Sequence, residues 1–313
     1  MKSFDELDAR VTSFPKACVA VANAVDSRVL QAAVRADAED VADAVLVGDE
    51  GEIRRIADEQ GIDISITDIV HAGDELSAAA KAVDLVRSGE CGILMKGYIH
   101  TDDFLRAVLD REKGLRTPAL MSHVFIAEPM GYDRLIFISD GAMNIAPDLE
   151  AKAAIALNAV HVAKMFGVDD PKVAIMSAVE LVNPKIQSTV DAAVLHMMAH
   201  RHQFDPEAQI EGPFALDNAI SAEAARHKKV TGEVAGAADV LVMPNIEAGN
   251  MLAKSLVYFA GARLAGILVG ASAPVVLTSR ADSAEAKYLS LVTAVLMSQV
   301  ERHLKLKVGK VRF

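Results

Sequence analysis

The amino-acid sequence predicts an α/β fold. Short runs rich in valine, isoleucine, leucine and alanine recur along the chain, and segments with helical spacing of apolar residues separate most of them. This alternation is typical of α/β layers with largely parallel sheets, because parallel strands need a crossover connection that is usually a helix. At about 150 residues per domain, a chain of 313 residues predicts two domains.

The apolar runs place the strands. The runs ACVAVAN and DAVLVGD are short and valine-rich, as buried strands are, and the later runs have the same character. The predicted strands cover residues 17–23, 43–49, 68–72, 92–97, 134–140, 172–178, 239–245, 265–270 and 274–279.

Amphipathic segments fill most of the intervals and predict the helices. In DELSAAAKAVDLVRSG, for example, Ala79, Val83 and Val86 share one face, and the final glycine is a stop signal. The predicted helices cover residues 26–35, 50–59, 74–89, 101–112, 149–166, 186–201, 218–228, 247–262 and 284–302.

The composition indicates a globular protein with large aliphatic cores. Apolar residues make up 52% of the chain, and no apolar run approaches the roughly 18 residues that a membrane helix needs. The charged N-terminus, with Phe4, Leu7 and Val11 at helical spacing, is unlike a signal peptide. Cys18 and Cys91 lie in or beside strand-like runs, so we expect two reduced core thiols. A soluble cytoplasmic protein is therefore expected.

The charge balance limits the partners. The formal net charge is -11, which argues against broad nucleic-acid binding, since that requires a basic surface. A small anionic ligand remains possible if cations cluster locally. Ligands of parallel sheets bind beyond the carboxyl ends of the strands, and polar or cationic residues follow four predicted strands there: Lys96-Gly97, Asp140-Gly141, Pro244-Asn245 and Ser279-Arg280.

The stretch APVVLTSRADSAEAK carries the clearest anion-site pattern. Asp282 and Glu285 have the spacing of a capping box, so Ser279 and Arg280 are expected between a strand end and a helix start. Free backbone N–H groups and the positive end of the helix dipole would favour an oxyanion or a phosphate there. The alternative for Arg280 is an ordinary surface ion pair.

Two other stretches are weaker candidates. In MPNIEAGNMLAKSLVYFAG, Asn245 precedes a helix that carries Lys254, and the alternative is a plain strand–loop–helix joint with the asparagine as N-cap. In GLRTPALMSHVF, Arg116 is followed by Ser122 and His123, and the alternative is a solvated loop leading into a hairpin or a strand.

Several familiar motifs are missing from the sequence. There is no P-loop and no G-x-G-x-x-G after the first strand, so standard nucleotide sites are unsupported. No H-E-x-x-H or paired C-x-x-C indicates zinc, and no G-x-S-x-G elbow indicates a serine hydrolase.

Taken together, six long motifs resemble the phosphate acetyl/butyryltransferase family, particularly its butyryltransferase branch. They are LMKGYIHTDDFLRAVLDREKGLRT, MSHVF, SAVELVNPKIQSTVDAA, EGPFALDNAIS, VTGEVAGAADVLVMPNIEAGN and GASAPVVLTSRADSAEAK. The resemblance implies reversible conversion of acyl-CoA and inorganic phosphate into acyl phosphate and CoA, without a metal or other cofactor. It also implies a homodimer or higher homo-oligomer.

The implied fold is two α/β domains with a cleft between them, similar to isocitrate and isopropylmalate dehydrogenases. We expect one domain to contain residues 1–139 and about 285–313, and the other residues 140–284. The resemblance implies catalysis by Ser279 and Arg280, and phosphate binding by Arg116. Further substrate-binding candidates, chosen by position, are Lys96, Ser122, His123, Asn245 and Lys254.

One position departs from the pattern of the acetyltransferase relatives. Their aspartate six residues after the arginine, proposed to take the thiol proton, is Ala286 here. Glu285 and Asp282 are nearby substitutes, and a base is also less necessary because a thiol of pKa about 8.5 is partly ionised near neutral pH.

Several alternatives stay open at this point. Butyryl or another short acyl chain is expected, but an acetyl-specific enzyme is the first alternative. A metal- and NAD-dependent decarboxylating dehydrogenase would need a cluster of aspartates that the sequence lacks. A CoA- or acyl-phosphate-binding protein without activity is the third reading.

Overall fold

The computed structural model describes residues 1–304 and 309–312. The helices are α1 (Phe4–Val11), α2 (Ser27–Ala38), α3 (Glu50–Gln60), α4 (Glu75–Arg87), α5 (Thr101–Val108), α6 (Leu149–Met165), α7 (Gln187–His200), α8 (Leu216–Ile220), α9 (Ala222–His227), α10 (Ile246–Ala260) and α11 (Ala284–Leu304). The strands are β1 (Ala17–Ala22), β2 (Ala42–Gly48), β3 (Asp68–His71), β4 (Ile93–Lys96), β5 (Ser122–Glu128), β6 (Ile136–Ser139), β7 (Lys172–Met176), β8 (Phe204–Asp205), β9 (Gln209–Phe214), β10 (Val240–Val242), β11 (Arg263–Val269), β12 (Val275–Val276) and β13 (Lys310–Val311).

The chain divides into two compact units. Unit A contains Phe4–Ala119 and the segment from Ala265 through α11. Unit B contains Met1–Ser3, Leu120–Leu264 and β13. Each unit combines mostly parallel strands with helices, so the predicted α/β class is confirmed.

The chain crosses between the units earlier than the sequence suggested. The crossings follow Ala119 and Leu264, about 20 residues before the expected boundaries at 139/140 and 284/285. Strand pairing explains the difference: β5 pairs with β6 and stays in unit B, while β12 pairs with β4 and stays in unit A.

Unit A is built on parallel strands in the order β3-β2-β1-β4-β12, and β11 runs antiparallel to β12. The register places Ala22 opposite Lys96, and Met95 opposite Val276. The chain segments that follow β1, β4 and β12 therefore leave the sheet at the same edge, which is the edge where parallel sheets bind ligands.

Unit B has parallel strands in the order β6-β10-β7-β9, with β5 antiparallel to β6. Helix α6 packs against this sheet and is buried around most of its circumference, as its largely apolar sequence requires. Among the helices of the described residues, none has both the length and the apolarity of a membrane-crossing segment.

Three local features differ from the sequence-based prediction. Strand β9 was not predicted, and a strand at β5 was only an alternative for its stretch, because β5 opens with Ser-His and β9 contains Gly212 and Pro213, which break the strand pattern. The predicted helix over 218–228 is split at Ser221, whose side chain accepts a hydrogen bond from the Ala224 N–H at 3.3 Å and starts α9. The strand predicted over 274–279 is limited to β12.

The two cysteines form a disulfide bond, so the expectation of two reduced thiols is wrong for this structure. Cys18 lies in β1 and Cys91 comes just before β4, and these strands are neighbours. The backbone N–H of Gly92 donates to the Cys18 carbonyl at 3.0 Å, which brings the two Cα atoms to 4.6 Å. Sequence spacing could not reveal this pairing, since 73 residues separate the cysteines.

Candidate active site

The turn after β12 presents Ser279 and Arg280 at the surface of unit A. Asp282 Oδ2 accepts a hydrogen bond from the Ser279 N–H at 2.7 Å, and the Asp282 N–H donates to the Ser279 carbonyl at 3.2 Å. From α2, Arg28 Nη1 donates to the Ala281 carbonyl at 3.1 Å. Because the turn is bonded to its own backbone and to α2, it holds both side chains exposed in a defined place.

The predicted capping box does not form. Ser283 Oγ, immediately before α11, accepts a hydrogen bond from the Ala286 N–H at 3.1 Å, as an N-cap side chain does. Asp282 is used by the turn instead, and the Glu285 carboxylate forms an ion pair with Arg35 of α2. Asp282 and Ser283 are adjacent, and both residue types are common at the N-cap. The spacing to Glu285 favoured Asp282, but the structure uses Ser283.

Arg280 makes no ion pair with any residue that the structure describes. Its Nη1 lies 3.4 Å from His100 Nε2, its Nη2 lies 3.5 Å from His100 Nδ1, and its guanidinium lies 5.7 Å from the Tyr98 ring centroid. The alternative of an ordinary surface ion pair is therefore not realised. The guanidinium keeps its donors available for a ligand such as a phosphate or a carboxylate.

The segment that carries Tyr98 and His100 is positioned by tight backbone contacts after β4. The N–H of Tyr98 donates to the Asn23 carbonyl at 2.8 Å, and Asn23 Nδ2 donates to the Tyr98 carbonyl at 2.5 Å. A Cβ atom at position 97 would overlap the carbonyl oxygens of Ala22 and Asn23, so only glycine allows this approach. His100 then precedes α5, with its ring exposed.

Two buried lysines lie beneath this turn. Lys96 and Lys287 are each 1% exposed. Lys287 Nζ donates to the Ser279 carbonyl at 2.9 Å, whereas Lys96 Nζ donates to the Gly97 carbonyl at the longer distance of 3.5 Å. Within the described part of the chain, neither ammonium group has a carboxylate within salt-bridge distance. Charged groups buried this way are costly unless an anion compensates them.

The electrostatics of the lysines follow from burial and from neighbouring cations. Burial, and then the positive charges of Lys287 and Arg280, lower the pKa of Lys96 to about 8. Burial also lowers the pKa of Lys287. The carboxyl edge of unit A is therefore a concentration of positive charge in a protein whose formal net charge is -11.

Arg116 lies on another loop of unit A. It forms an isolated bridge with Ala271, and Thr117 Oγ1 donates to the Gly270 carbonyl at 2.6 Å. These bonds attach the loop to the segment after β11. Arg116 is exposed and has no ion pair among the described residues, so its guanidinium is available to a ligand.

Four sequence-predicted candidates belong to unit B, and two of them are inaccessible. Ser122 and His123 are 0% exposed in β5. Ser122 Oγ accepts a hydrogen bond from Asn158 Nδ2 at 2.8 Å, and the His123 N–H donates to Asp140 Oδ2 at 3.1 Å. The strand alternative for this stretch is the one observed, and both residues serve internal packing.

Asn245 is the N-cap of α10 and accepts a hydrogen bond from the Ala248 N–H at 2.9 Å. The alternative of a strand–loop–helix joint capped by this asparagine is therefore the one observed. Lys254 is exposed on α10 and has no ion pair within the described residues. Asn250 Nδ2 donates to the Gly141 carbonyl at 3.0 Å and connects α10 to the loop after β6.

Asp140 organises that loop in unit B. Its carboxylate is 2% exposed and accepts hydrogen bonds from the N–H groups of Ala142, Met143 and Asn144. Sequence reasoning noted Asp140 only as a polar residue after a strand. It gave no role to His100, Arg28 or Lys287, although all three lie next to predicted strand ends or helix starts.

The described residues contain no group of three or more histidine, cysteine, aspartate or glutamate side chains arranged to hold a metal ion.

Comparison with known proteins gives a consistent assignment. Residues 74–295 match the family model described as phosphate acetyl/butaryl transferase. The chain is 50% identical over 297 residues to phosphate butyryltransferase of Clostridium beijerinckii, covering 95% of this chain and 98% of that protein. It is 43% identical to phosphate acetyltransferase of Rhizobium meliloti, covering 96% of this chain and 94% of the relative.

A solved structure supports the same assignment. The crystal structure of a branched-chain phosphotransacylase from Enterococcus faecalis matches with a TM-score of 0.79 and 37% identity, over 90% of this chain and 99% of the other. The family model and the relatives include the Ser279–Arg280 turn and the segment from Lys96 to His100 within the matched range. The chain therefore belongs to the phosphate acetyl/butaryl transferase family.

Proposed function

We propose that the protein is a phosphate acyltransferase that converts acyl-CoA and inorganic phosphate reversibly into acyl phosphate and CoA. The observation that carries this proposal is the exposed Arg280, held without a carboxylate partner among the described residues and backed by the buried Lys96 and Lys287. Such a group of cations suits two anionic substrates. Family membership and the relatives support the same reaction.

The proposed mechanism assigns distinct roles to the exposed residues of the turn. Arg280 binds phosphate through its planar fork and stabilises the negative charge that develops on the acyl oxygen in the transition state. Ser279 Oγ, which is exposed, donates to the same oxygen. Arg116 supplies a second phosphate contact. Lys96 and Lys287 add positive potential from below the turn, where the low dielectric strengthens their effect.

The remaining candidates have weaker or different roles. Lys254 is proposed to contact a phosphate of CoA, because it is an exposed cation on α10, the helix that follows the carboxyl end of β10. Ser122, His123 and Asn245 are proposed as structural residues, because their observed contacts are internal. Glu285 is proposed to stabilise α11 against α2 through Arg35 and to take no part in the chemistry.

Butyryl or another short acyl group is the proposed substrate class. The support is the 50% identity to a phosphate butyryltransferase, against 43% for a phosphate acetyltransferase. Acetyl is the alternative. A panel of acetyl-, propionyl-, butyryl- and isobutyryl-CoA, compared by kcat/KM, decides between them.

In each unit, candidate residues follow the carboxyl ends of the parallel strands, where α/β sheets bind ligands. No metal or organic cofactor takes part in the proposed reaction, and CoA and phosphate are substrates.

A homodimer is proposed from the surface of unit B. Phe259 and Tyr258 at the end of α10 are 90% and 70% exposed, and Met130 is 81% exposed close to the same helix end. Exposed apolar groups of this size are typical of interaction sites. Phe259→Glu is expected to shift the mass measured by light scattering from dimer to monomer. Cytoplasmic localisation is proposed as well; assaying the activity in separated cytoplasmic and membrane fractions of cells would test it.

The test of the function is thiol release from acyl-CoA with and without inorganic phosphate. Release that depends on phosphate, with formation of acyl phosphate, supports the proposal. Binding of CoA without turnover would indicate a binding protein instead.

A further inference from the structure

We propose that His100 accepts the proton of the CoA thiol in acyl transfer to CoA, and returns it when the reaction runs toward acyl phosphate. This role rests on the proposed phosphate acyltransferase function. Neither the family assignment nor the sequence motifs select His100.

The reaction requires a proton acceptor in one direction and a donor in the other. When CoA attacks an acyl phosphate, a sulfur–carbon bond forms and the bond between the acyl carbon and the phosphate oxygen breaks. Phosphate leaves with the electron pair, and the thiol proton must go to another group. A neutral imidazole nitrogen can take it, and the resulting imidazolium can protonate the CoA thiolate in the reverse direction.

The position of His100 suits this task. Its two ring nitrogens lie 3.4 and 3.5 Å from the guanidinium nitrogens of Arg280, and its ring is exposed. A substrate bound by Arg280 would therefore lie within reach of the imidazole. The segment is held by Gly97 and Asn23, so the ring is placed by backbone contacts and not by a mobile loop.

The carboxylates and lysines of the site are engaged elsewhere or buried. Glu285 is paired with Arg35, and Asp282 accepts a hydrogen bond from the Ser279 N–H at 2.7 Å. Lys96 and Lys287 are each 1% exposed and cannot reach a thiol above the turn. Among the described residues, His100 is thus the exposed base that contacts Arg280.

The His100 side chain contacts Arg280, and within the described residues it makes no hydrogen bond that holds α5 or the sheet together. It occupies the N-cap position of α5, but its side chain makes no capping hydrogen bond. A loss of activity on substitution can therefore be separated from a loss of folding, and the melting temperature of a His100 variant is expected to match that of the wild type.

The experiment compares wild type, His100→Ala and His100→Gln in the reaction of butyryl phosphate with CoA. General-base catalysis contributes roughly 10²–10⁴-fold to a rate, so both variants should lose at least about 10² in kcat while the KM for butyryl phosphate changes little. Added imidazole should restore part of the rate of His100→Ala, where the ring has left a space, and much less in His100→Gln. His227→Ala, at an exposed histidine in α9, is the matched control and should retain wild-type activity.

Three results would overturn the proposal. If His100→Ala keeps a rate within threefold of the wild type, the thiol reacts without this base. If the variants lose activity through a raised KM for butyryl phosphate and imidazole gives no rescue, His100 only positions Arg280. If the wild type itself transfers no acyl group from butyryl phosphate to CoA, the proposed function fails, and the role of His100 fails with it. The activity of the wild type distinguishes this case from the other two.

Discussion

Replacing Lys96 by methionine should make the protein more stable and less active. Lys96 is 1% exposed, and within the described residues its ammonium group has a single long hydrogen bond, to the Gly97 carbonyl at 3.5 Å. Methionine has a similar length and no charge. The substitution removes a buried charge from the free protein and also removes a positive charge that the anionic substrates need.

The magnitude follows from the pKa. Burial and the neighbouring cations Lys287 and Arg280 lower the pKa of Lys96 from 10.5 to about 8. At about 1.4 kcal/mol per pH unit, the charged form therefore costs the fold about 3 kcal/mol when both the folded and the unfolded chains are protonated. Above pH 10.5, Lys96 is neutral in both the folded and the unfolded chain, and the penalty is absent. As the pH falls from 10.5 through the folded-state pKa of about 8, the wild type loses this stability. The gain in unfolding free energy from Lys96→Met is therefore full below pH 8 and disappears above pH 10.5.

The assay is urea unfolding in phosphate-free buffer, followed by far-UV circular dichroism because the chain has no tryptophan. Lys228→Met is the matched control: Lys228 is paired with Asp217 and Glu180, and that pairing raises its pKa. This control should lose little stability, because exposed ion pairs contribute little, and it should keep its activity. A clear destabilisation of Lys96→Met at pH 7, or a difference from wild type that does not change between pH 7 and 10.5, would refute the reasoning.

Three further predictions concern the base, metals and the cysteines. Glu285→Gln should slow CoA acylation by less than about tenfold, and losing the exposed ion pair with Arg35 should cost about 0–1 kcal/mol; a 10³-fold loss of rate with unchanged stability would make Glu285 the base. Activity should survive exhaustive chelation, and a loss on EDTA treatment that Mg²⁺ or Zn²⁺ reverses would reveal a metal site. Denatured, unreduced protein should show no free thiol, and two free thiols before reduction would contradict the disulfide. Reduction of Cys18–Cys91 should leave kcat unchanged, because the bond lies near the amino ends of β1 and β4 and Lys96 lies at the carboxyl end.

The sequence predicted the elements whose local signals agree with their environment. The apolar runs of β1, β2 and β4 are buried parallel strands, and the cationic residues at the end of β4 and after β12 meet at one edge of unit A. That edge could be predicted without knowing the strand order, because the carboxyl ends of all parallel strands lie at the same edge of the sheet. The exposed position of Ser279 and Arg280 follows from the same rule.

The sequence could not reveal what depends on three-dimensional pairing. His100 meets Arg280 across 180 residues, and Lys287 reaches back from α11 to the Ser279 carbonyl. Neither contact has a local pattern, since a histidine before a helix and a lysine in its first turns are common in any protein. Ser122 and His123 show the opposite error: polar residues after a loop suggested a site, but hydrogen bonds to Asn158 and Asp140 bury them in β5.

The central claim is that Arg280 holds phosphate and the developing acyl oxyanion, and one measurement tests it most directly. The rate of phosphate-dependent thiol release from butyryl-CoA is compared for wild type, Arg280→Ala and Arg280→Lys, with thermal unfolding as the folding control. We expect wild-type melting temperatures, a loss of at least about 10² in kcat/KM for alanine, and poor rescue by lysine, which lacks the planar fork. A correctly folded Arg280→Ala variant with near-wild-type turnover would contradict it.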